Sequence, residues 1–171
     1  FFKDKKVAIV GGGDSALEEA IFLTRFVSSV TVIHRRDELR AGALLQKRAN
    51  HNSKINFIWD SVVEEIRGSE SVGTLLIKNV KNEKVSELLI DGVFIFIGHK
   101  PNTSLFKQYL ALDEKGYIKV DGHMRTNIKC VFAAGEVADS VYQQVITSAG
   151  MGAAAAIEVT RLLESEAGDL Y

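Results

Sequence analysis

The sequence predicts an α/β protein in which short parallel strands alternate with helices over the first part of the chain. A β-branched apolar run, Lys5–Val10, is followed by three glycines and then by apolar residues at helical spacing over Asp14–Val27. A second buried-type strand, Val30–Ile33, precedes a segment rich in helix formers, Ala41–Asn50. These four segments predict a βαβα unit built around a parallel sheet.

The middle of the chain changes to a two-residue period, which predicts a small antiparallel meander beside this sheet. Ile55–Trp59 supplies a third parallel strand, and apolar and polar residues alternate after it, around turn-like residues at Asn79–Glu83. Val93–Ile97 is nearly all apolar and is typical of a strand buried in a parallel sheet. The meander strands are expected at Val62–Ile66, Gly73–Val80 and Val85–Ile90.

A break at residues 98–102, which contains the only proline of the chain, predicts a domain boundary. Residues 1–97 are expected to form one domain and residues 98–171 part of a second, because a lone core of fewer than about 70–80 residues is marginal. The second part is expected to contain a short helix around Thr103–Tyr109, extended segments at Tyr117–Val120 and Val131–Ala134, and a long helix from about Val141 to Leu163.

Composition excludes several classes of protein. The net charge of −1 argues against a general nucleic-acid or membrane-surface binder, and no apolar run approaches the roughly 20 residues of a membrane span. We therefore expect a globular protein that binds neither nucleic acid nor membrane, and we expect its location to be cytoplasmic. The single cysteine, Cys130, cannot form an internal disulfide, and we expect a buried small residue there rather than a nucleophile. The start at Phe1-Phe2, without Met, is interpreted as a cut rather than a natural beginning.

The glycine-rich segment fits the pattern G-x-G-x-x-A between a strand and a helix, which is the context of a dinucleotide-binding turn. The first glycine permits the tight turn, the third lets the backbone approach a pyrophosphate, and the alanine lets helix and strand pack closely. The helix N-terminus would offer unpaired N–H groups to the phosphates. A glycine turn without a ligand, with its aspartate acting as a helix cap, is the alternative. The six residues are Gly11, Gly12, Gly13, Asp14, Ser15 and Ala16.

Basic residues follow the second strand, where an acidic residue would bind the ribose hydroxyls of NAD. Guanidinium groups there would instead bind a 2′-phosphate, which favours NADPH. The alternative is a solvated loop in which Asp37 and Glu38 neutralise the arginines. The candidate residues are His34, Arg35, Arg36 and Arg40. Together with the glycine turn they predict a Rossmann-like, three-layer nucleotide-binding domain.

Six segments carry a resemblance to a known family over the whole chain. They are Gly11–Ala20, His34–Asp37 with Arg40-Ala41, Ile97–Thr103, Gly116–Val120, Val131–Val137 and Ile146–Gly152. In these segments the chain resembles the low-molecular-weight thioredoxin reductases, which are pyridine nucleotide-disulfide oxidoreductases. The resemblance implies an NADPH-binding domain followed by the C-terminal part of an FAD-binding domain. It also implies a Cys-x-x-Cys pair just before Phe1, a homodimer, and electron transfer from NADPH through FAD and the dithiol to thioredoxin.

The flavin contacts of the family carry over to the second part of the chain. Glu136 stands where the family usually has Asp, and Gln143 where it often has Arg, so the chain departs from the pattern at both positions. A plain surface turn is the alternative at Gly135-Glu136. Beyond residues 1–97, the predicted cofactor-binding residues are Gly98, Gly135, Glu136, Gln143, Gln144 and Val145.

Catalytic residues and metal ligands are not expected in this chain. His34 and His99 are single histidines without companion ligands, while Trp59, Phe94 and Phe96 lie in strand patterns typical of a core. Two other functions remain open: a thioredoxin-reductase-like ferredoxin–NADP reductase, which lacks the redox cysteines, and a stand-alone NADPH-binding module. The sequence upstream of Phe1 would distinguish among them.

Overall fold

The computed structural model describes residues 1–168. The chain divides into two compact units, Phe1–Gly98 and His99–Tyr171, each of which is considered by itself. The last three residues of the second predicted domain, 169–171, lie outside the described residues.

The first unit contains the parallel sheet and the meander that the sequence predicts. Its strands are β1 (Lys6–Gly11), β2 (Ser29–Ile33), β3 (Ile55–Ile58), β4 (Ser61–Gly68), β5 (Val72–Asn79), β6 (Val85–Leu89) and β7 (Gly92–Phe96), and its helices are α1 (Asp14–Leu23) and α2 (Ala43–Asn50). The four parallel strands have the order β3-β2-β1-β7, and the antiparallel strands have the order β4-β5-β6. Helix α1 ends four residues earlier than expected, because residues 24–27 close its last turn with backbone hydrogen bonds to residues 20–23.

Alternating side chains of the parallel sheet build two cores, one on each face. Val7 and Ile9 of β1 pack with the buried face of α1, whereas Ala8 between them packs against the meander. The helix-side core also contains Ala16, Leu17, Ala20, Val30 and Val32, and the meander-side core also contains Ile33, Leu75, Ile77 and Ile90. The unit therefore has three layers, helices, parallel sheet and antiparallel sheet, and the fold prediction is confirmed.

The second unit has less regular structure than the sequence predicts. It contains a 3-10 turn at Ser104–Phe106 and one long helix, α3 (Val145–Gly168). The two predicted extended segments form only the isolated bridges Leu112↔Ile118 and Arg125↔Phe132, because no continuous partner strand lies beside either segment among the described residues. A small core of Leu110, Ile118 and Ala133 holds these turns together.

Helix α3 is attached within its unit by one buried carboxylate. Glu158 accepts hydrogen bonds from Arg125 (2.8 Å) and Arg161 (2.8 Å), and lies 3.2 Å from the Nδ1 atom of His123. The two arginines offset the cost of burying this charge. Among residues 1–168, no helix is both long and apolar enough to cross a membrane.

The interpretation of Cys130 as a buried residue is wrong. Its side chain is exposed, and the residue lies in a turn with a positive φ of 64°, outside any strand. The N–H group of Val131 closes this turn by donating to the carbonyl of Ile128.

Truncation of Leu75 tests the layer arrangement. Leu75 of β5 is fully buried between the two sheets, and Leu75→Ala is expected to lower the free energy of unfolding by about 2–5 kcal/mol through lost burial and a cavity. Denaturant unfolding measures the change. Leu89→Ala, at an exposed position of the neighbouring strand β6, is the control and should change stability by less than about 0.5 kcal/mol. Similar effects of the two substitutions would contradict the packing of the meander on the parallel sheet.

Candidate functional site

The glycine turn lies at the carboxyl end of β1 and packs closely against Phe96, Ala16 and His34. A side chain at Gly11, where φ is 149°, would collide with the carbonyl oxygen of Phe96 and come within 3.1 Å of the Ala16 side chain. A side chain at Gly12 would overlap the ring of His34, whereas the space beside Gly13 is open to 4 Å. The first two glycines therefore permit packing, and the third leaves room for a ligand at the start of α1.

The N-terminus of α1 points into this open space without a side-chain cap. Gly13 is the N-cap residue and offers no side chain, and Asp14 and Ser15 in the first turn are exposed. Asp14 does not cap the helix; its Oδ1 atom accepts a hydrogen bond of 2.7 Å from the N–H group of Gly42. The first N–H groups of the helix, with the positive end of its dipole, are thus available to an anion.

Backbone hydrogen bonds hold the arginine-bearing loop against the glycine turn. The carbonyl oxygen of Gly12 accepts from the N–H groups of Arg40 (2.7 Å) and Ala41 (3.1 Å). Together with the bond from Gly42 to Asp14, they attach the end of the loop at three points. The structure therefore brings the glycine turn and the arginine cluster, which the sequence separates by about 20 residues, to the same place.

The three arginines are not neutralised by the acidic residues beside them. Asp37 pairs instead with Lys81, at 2.9 Å, on the turn between β5 and β6. Within residues 1–168, the exposed guanidinium groups of Arg35, Arg36 and Arg40 form no ion pair. A cluster of three unpaired positive charges beside an uncapped helix N-terminus creates a strongly positive local potential.

His34 lies beneath this cluster with one ring nitrogen unsatisfied. It is 5% exposed, and its Nε2 atom has no hydrogen-bond partner among the described residues. Burial is the main cause that lowers the pKa of His34; a hydrogen bond with the backbone of Glu38 opposes it, and the three arginine charges add to it. The lowered pKa favours the neutral ring near pH 7, and its Nε2 atom is buried without a hydrogen-bond partner among the described residues.

A cavity of about 550 Å³ adjoins the glycine turn, His34 and two of the three arginines. It lies between the carboxyl ends of the parallel strands and strand β4, and its walls are largely apolar. Its lining includes Gly11, Gly12, His34, Arg35 and Arg40, with Val10, Ile33, Val62, Val63, Ile66, Val93, Ile95 and Ile97 as apolar walls and Ser61, Glu64 and Glu65 as polar ones. An apolar crevice with cations at one side suits a ligand that carries both a flat ring and phosphate groups.

The predicted flavin contacts lie in the second unit, apart from Gly98 at the end of the first. Gly98 is exposed with φ of 91°, and Gly135 is buried with φ of 83°. Glu136 is exposed and lies 3.9 Å from the Nδ1 atom of His99, which is 3.0 Å from Oε1 of Gln143. Gln144 and Val145 are exposed at the start of α3. The unit thus brings Glu136 and Gln143 to the same imidazole ring.

Asp139, which sequence reasoning missed, shapes the segment before α3. Its carboxylate accepts from the N–H groups of Val141 (2.9 Å), Tyr142 (2.9 Å) and Gln143 (3.0 Å), and lies 3.1 Å from the hydroxyl of Thr147. These bonds fold residues 141–143 into a turn, which is why the helix begins at Val145 rather than at the predicted Val141. An aspartate ahead of a helix was the available signal, since such side chains compete for backbone N–H groups.

The side chain of Gln143 is also fixed from both sides. Its Nε2 atom donates to the hydroxyl of Tyr117 at 2.6 Å, while its Oε1 atom lies against His99. Its backbone has a positive φ of 52°, an uncommon conformation for a residue other than glycine. The surrounding hydrogen bonds stabilise this conformation. No cluster of three or more metal-ligating side chains occurs in residues 1–168.

Comparisons with known proteins match both units. The sequence profile of the family described as "Pyridine nucleotide-disulphide oxidoreductase" matches residues 2–152. A thioredoxin reductase of Streptomyces coelicolor is 51% identical over 164 residues, covering 95% of this chain and 51% of that protein. A thioredoxin reductase of Coxiella burnetii is 47% identical over 96% of this chain and 54% of its own length.

A solved structure agrees with these matches. The crystal structure of thioredoxin reductase from Streptococcus pyogenes shares 49% identity, with a TM-score of 0.79, over 96% of this chain and 54% of that one. The resemblance expected from the motifs is confirmed. The chain spans about half the length of the curated relatives that it matches.

Replacement of Asp139 tests its control of the turn before α3. Asp139→Ala removes the acceptor of three backbone N–H groups, so the amides of residues 141–143 are expected to exchange with solvent at least about tenfold faster. Hydrogen exchange of a peptide spanning residues 139–147 measures the change. Glu136→Gln, at an exposed carboxylate three residues earlier, is the control and should leave this exchange unchanged.

The pH dependence of the same exchange gives a second readout. Hydrogen bonds from the N–H groups of Tyr142 and Val141 are the main cause that holds the pKa of Asp139 below its ordinary value of 3.8. Asp139 therefore stabilises the turn at pH values above 3.8, and this stabilisation is lost as the pH falls through the lower pKa that Asp139 has in the folded state. Equal exchange in the Asp139→Ala variant and the unchanged protein would show that the turn forms without this carboxylate.

Proposed function

Because this chain belongs to the pyridine nucleotide-disulphide oxidoreductase family, we propose that its first unit binds NADPH. In a protein of the relatives' length, this unit would be the NADPH-binding portion of a flavoprotein that reduces the disulfide of thioredoxin. The observation that carries the proposal is the position of three unpaired guanidinium groups in the loop attached to an uncapped helix N-terminus, with Arg35 and Arg40 lining a largely apolar cavity.

The glycine turn and the start of α1 supply what a pyrophosphate needs. The open side of Gly13 allows the phosphates to approach the backbone, and the N–H groups of the first helical turn donate to their oxygens. Gly12, Asp14, Ser15 and Ala16 complete the proposed phosphate site. The attachment of the arginine loop to Gly12 and Asp14 fixes the distance between the phosphates and the adenosine end.

The arginine cluster supports NADPH over NADH. A 2′-phosphate can accept charge-assisted hydrogen bonds from Arg35, Arg36 and Arg40, each worth about 1.5–3 kcal/mol. Two such bonds correspond to a preference of about 10² to 10⁴ for the phosphorylated nucleotide. His34 lines the same cavity and would lie beside the bound nucleotide.

The second unit is proposed to hold part of a flavin. Glu136 would accept a hydrogen bond from a ribityl hydroxyl, and the exposed start of α3 at Gln144 and Val145 would lie by the ring system. The bonds of Gln143 to Tyr117 and His99 would keep that segment in place. Bound FAD would supply the hydride acceptor for the reduced nicotinamide. Gly98 and Gly135 would permit close approach of the backbone through their positive φ angles.

Thioredoxin as the electron acceptor, and a homodimeric state, are proposed for a protein of the relatives' length. The names of the relatives from Streptomyces coelicolor and Coxiella burnetii support the acceptor. The dimeric state is supported by the family resemblance alone.

Loss of the arginines is expected to remove the selectivity for NADP⁺ over NAD⁺ rather than all nucleotide binding. In the Arg35→Ala/Arg36→Ala variant, the affinity for NADP⁺ is expected to fall about 10²-fold or more, while that for NAD⁺ changes by less than about threefold, because only NADP⁺ carries the 2′-phosphate. Isothermal titration calorimetry measures both dissociation constants. The loss for NADP⁺ should shrink as salt is raised, since these exposed charges are screened.

A matched variant controls for the loss of two positive charges. Lys47 and Arg48 lie in the last turn of α2 and are exposed, so Lys47→Ala/Arg48→Ala is expected to leave both affinities within about twofold. Equal losses of NADP⁺ and NAD⁺ affinity in the Arg35/Arg36 variant would refute the assignment of the 2′-phosphate site.

The acceptor is tested in a protein of the relatives' length that contains this chain. NADPH oxidation, followed by its absorbance, is expected to depend on oxidised thioredoxin, and NADH should support a rate lower by about 10² or more at subsaturating concentration. Oxidised ferredoxin in place of thioredoxin is the comparison. Oxidation that responds to ferredoxin but not to thioredoxin would replace the proposed acceptor.

A further inference from the structure

Lys81 makes a bridge between two acidic residues that flank the arginine cluster. Its Nζ atom lies 2.9 Å from Oδ2 of Asp37 and 3.0 Å from Oδ2 of Asp60. Asp37 directly follows Arg36 in the loop, and Asp60 directly precedes β4. Lys81 comes from the turn between β5 and β6, which is 44 residues from Asp37 along the chain.

The position of Lys81 is fixed by the backbone. The N–H group of Asp60 donates to the carbonyl of Arg36 at 3.2 Å, and the N–H group of Val80 donates to the carbonyl of Asp60 at 2.6 Å. The N–H group of Lys81 then donates to Oδ1 of Asn79 at 3.0 Å. This series of bonds connects the arginine loop to the meander turn, so the ammonium group is held beside Asp37.

The charges of Lys81, Asp37 and Asp60 affect the electrostatic environment that a phosphate would have at the arginine cluster. Asp37 is exposed, and its hydrogen bond from Lys81 is the main cause that holds its pKa below the ordinary value. A carboxylate in this loop that was free to turn toward Arg35, Arg36 or Arg40 would compete with a phosphate for guanidinium hydrogen bonds and would repel it. Asp60, with 18% of its side chain exposed, would add a second negative charge at the base of the loop.

We propose that Lys81 is a specificity-determining residue for the nucleotide, because it engages Asp37 and Asp60 and so leaves the three arginines to the 2′-phosphate. Lys81 acts through the two carboxylates and not by touching the ligand. The inference rests on the proposed binding of NADPH by the first unit.

The test measures NADP⁺ and NAD⁺ dissociation constants by calorimetry for four variants and the unchanged chain. Lys81→Ala is expected to weaken NADP⁺ binding about 3- to 10-fold and NAD⁺ binding by less than about twofold, which is the range for an exposed charge near a phosphate. Asp37→Asn in the Lys81→Ala background is expected to recover most of the loss, since it removes the competing carboxylate. Asp37→Asn alone should leave NADP⁺ affinity unchanged or higher.

Lys84→Ala is the matched control for charge. Lys84 lies in the same turn, is exposed, and forms no ion pair among residues 1–168, so its removal should leave both affinities within about twofold. Lys81→Gln serves as a second variant if Lys81→Ala alters the circular dichroism spectrum.

The outcomes separate this inference from the function on which it rests. Equal affinity of the unchanged chain for NADP⁺ and NAD⁺ would overturn the proposed NADPH site. With selectivity present in the unchanged chain, the role of Lys81 is overturned by any of three results: no loss of NADP⁺ affinity in Lys81→Ala, an equal loss for NAD⁺, or no recovery with Asp37→Asn.

Discussion

The carbonyl oxygen of Gly12 accepts two backbone hydrogen bonds, from Arg40 and Ala41, and the rest of the candidate site depends on this junction. Neither the glycine turn nor the arginine loop is a nucleotide site alone. The turn offers helix N–H groups, and the loop offers guanidinium groups. Their attachment at Gly12, reinforced by Asp14, combines the two groups of donors in one candidate site, as the proposed binding of a phosphorylated adenosine moiety requires. Position 12 also requires glycine, because a side chain there would overlap the His34 ring.

The meander contributes to this site in ways that its packing role does not explain. Its core residues bury the second face of the parallel sheet, and strand β4 then becomes the opposite wall of the cavity. The turn between β5 and β6 places Lys81 beside the arginine loop. Covering the parallel sheet would by itself require neither the cavity wall formed by β4 nor the position of Lys81. The third layer therefore forms part of the candidate site, and its hydrogen bonds to the loop connect the stability of the meander with the geometry of that site.

Local patterns in the sequence predicted most of the first unit, because its strands and helices carry hydrophobic periods of their own. The glycine turn and the arginines were found for the same reason: each lies in one short segment. Two errors occur in short turns, where local hydrogen bonds rather than a hydrophobic period set the conformation. Asp139 delays the start of α3 by accepting hydrogen bonds from three backbone N–H groups, and Cys130 is exposed in a turn. The cavity, the unsatisfied nitrogen of His34 and the position of Lys81 all depend on pairing between segments, which periodicity does not contain.

The arginine loop shows that the charge balance of a motif also depends on residues from other segments of the chain. Counted along the chain, Asp37 and Glu38 offset two of the three arginine charges, and the loop would look like a weakly charged surface turn. The fold changes that balance, because Asp37 is paired with a lysine from the meander and the guanidinium groups are left unpaired. An exposed ion pair contributes little to stability, yet this one pairs the carboxylate of Asp37 away from the neighbouring arginines. Under the proposed function, cofactor preference would depend on how the fold distributes charge among its loops, and the number of basic residues in the motif would be only one part of it.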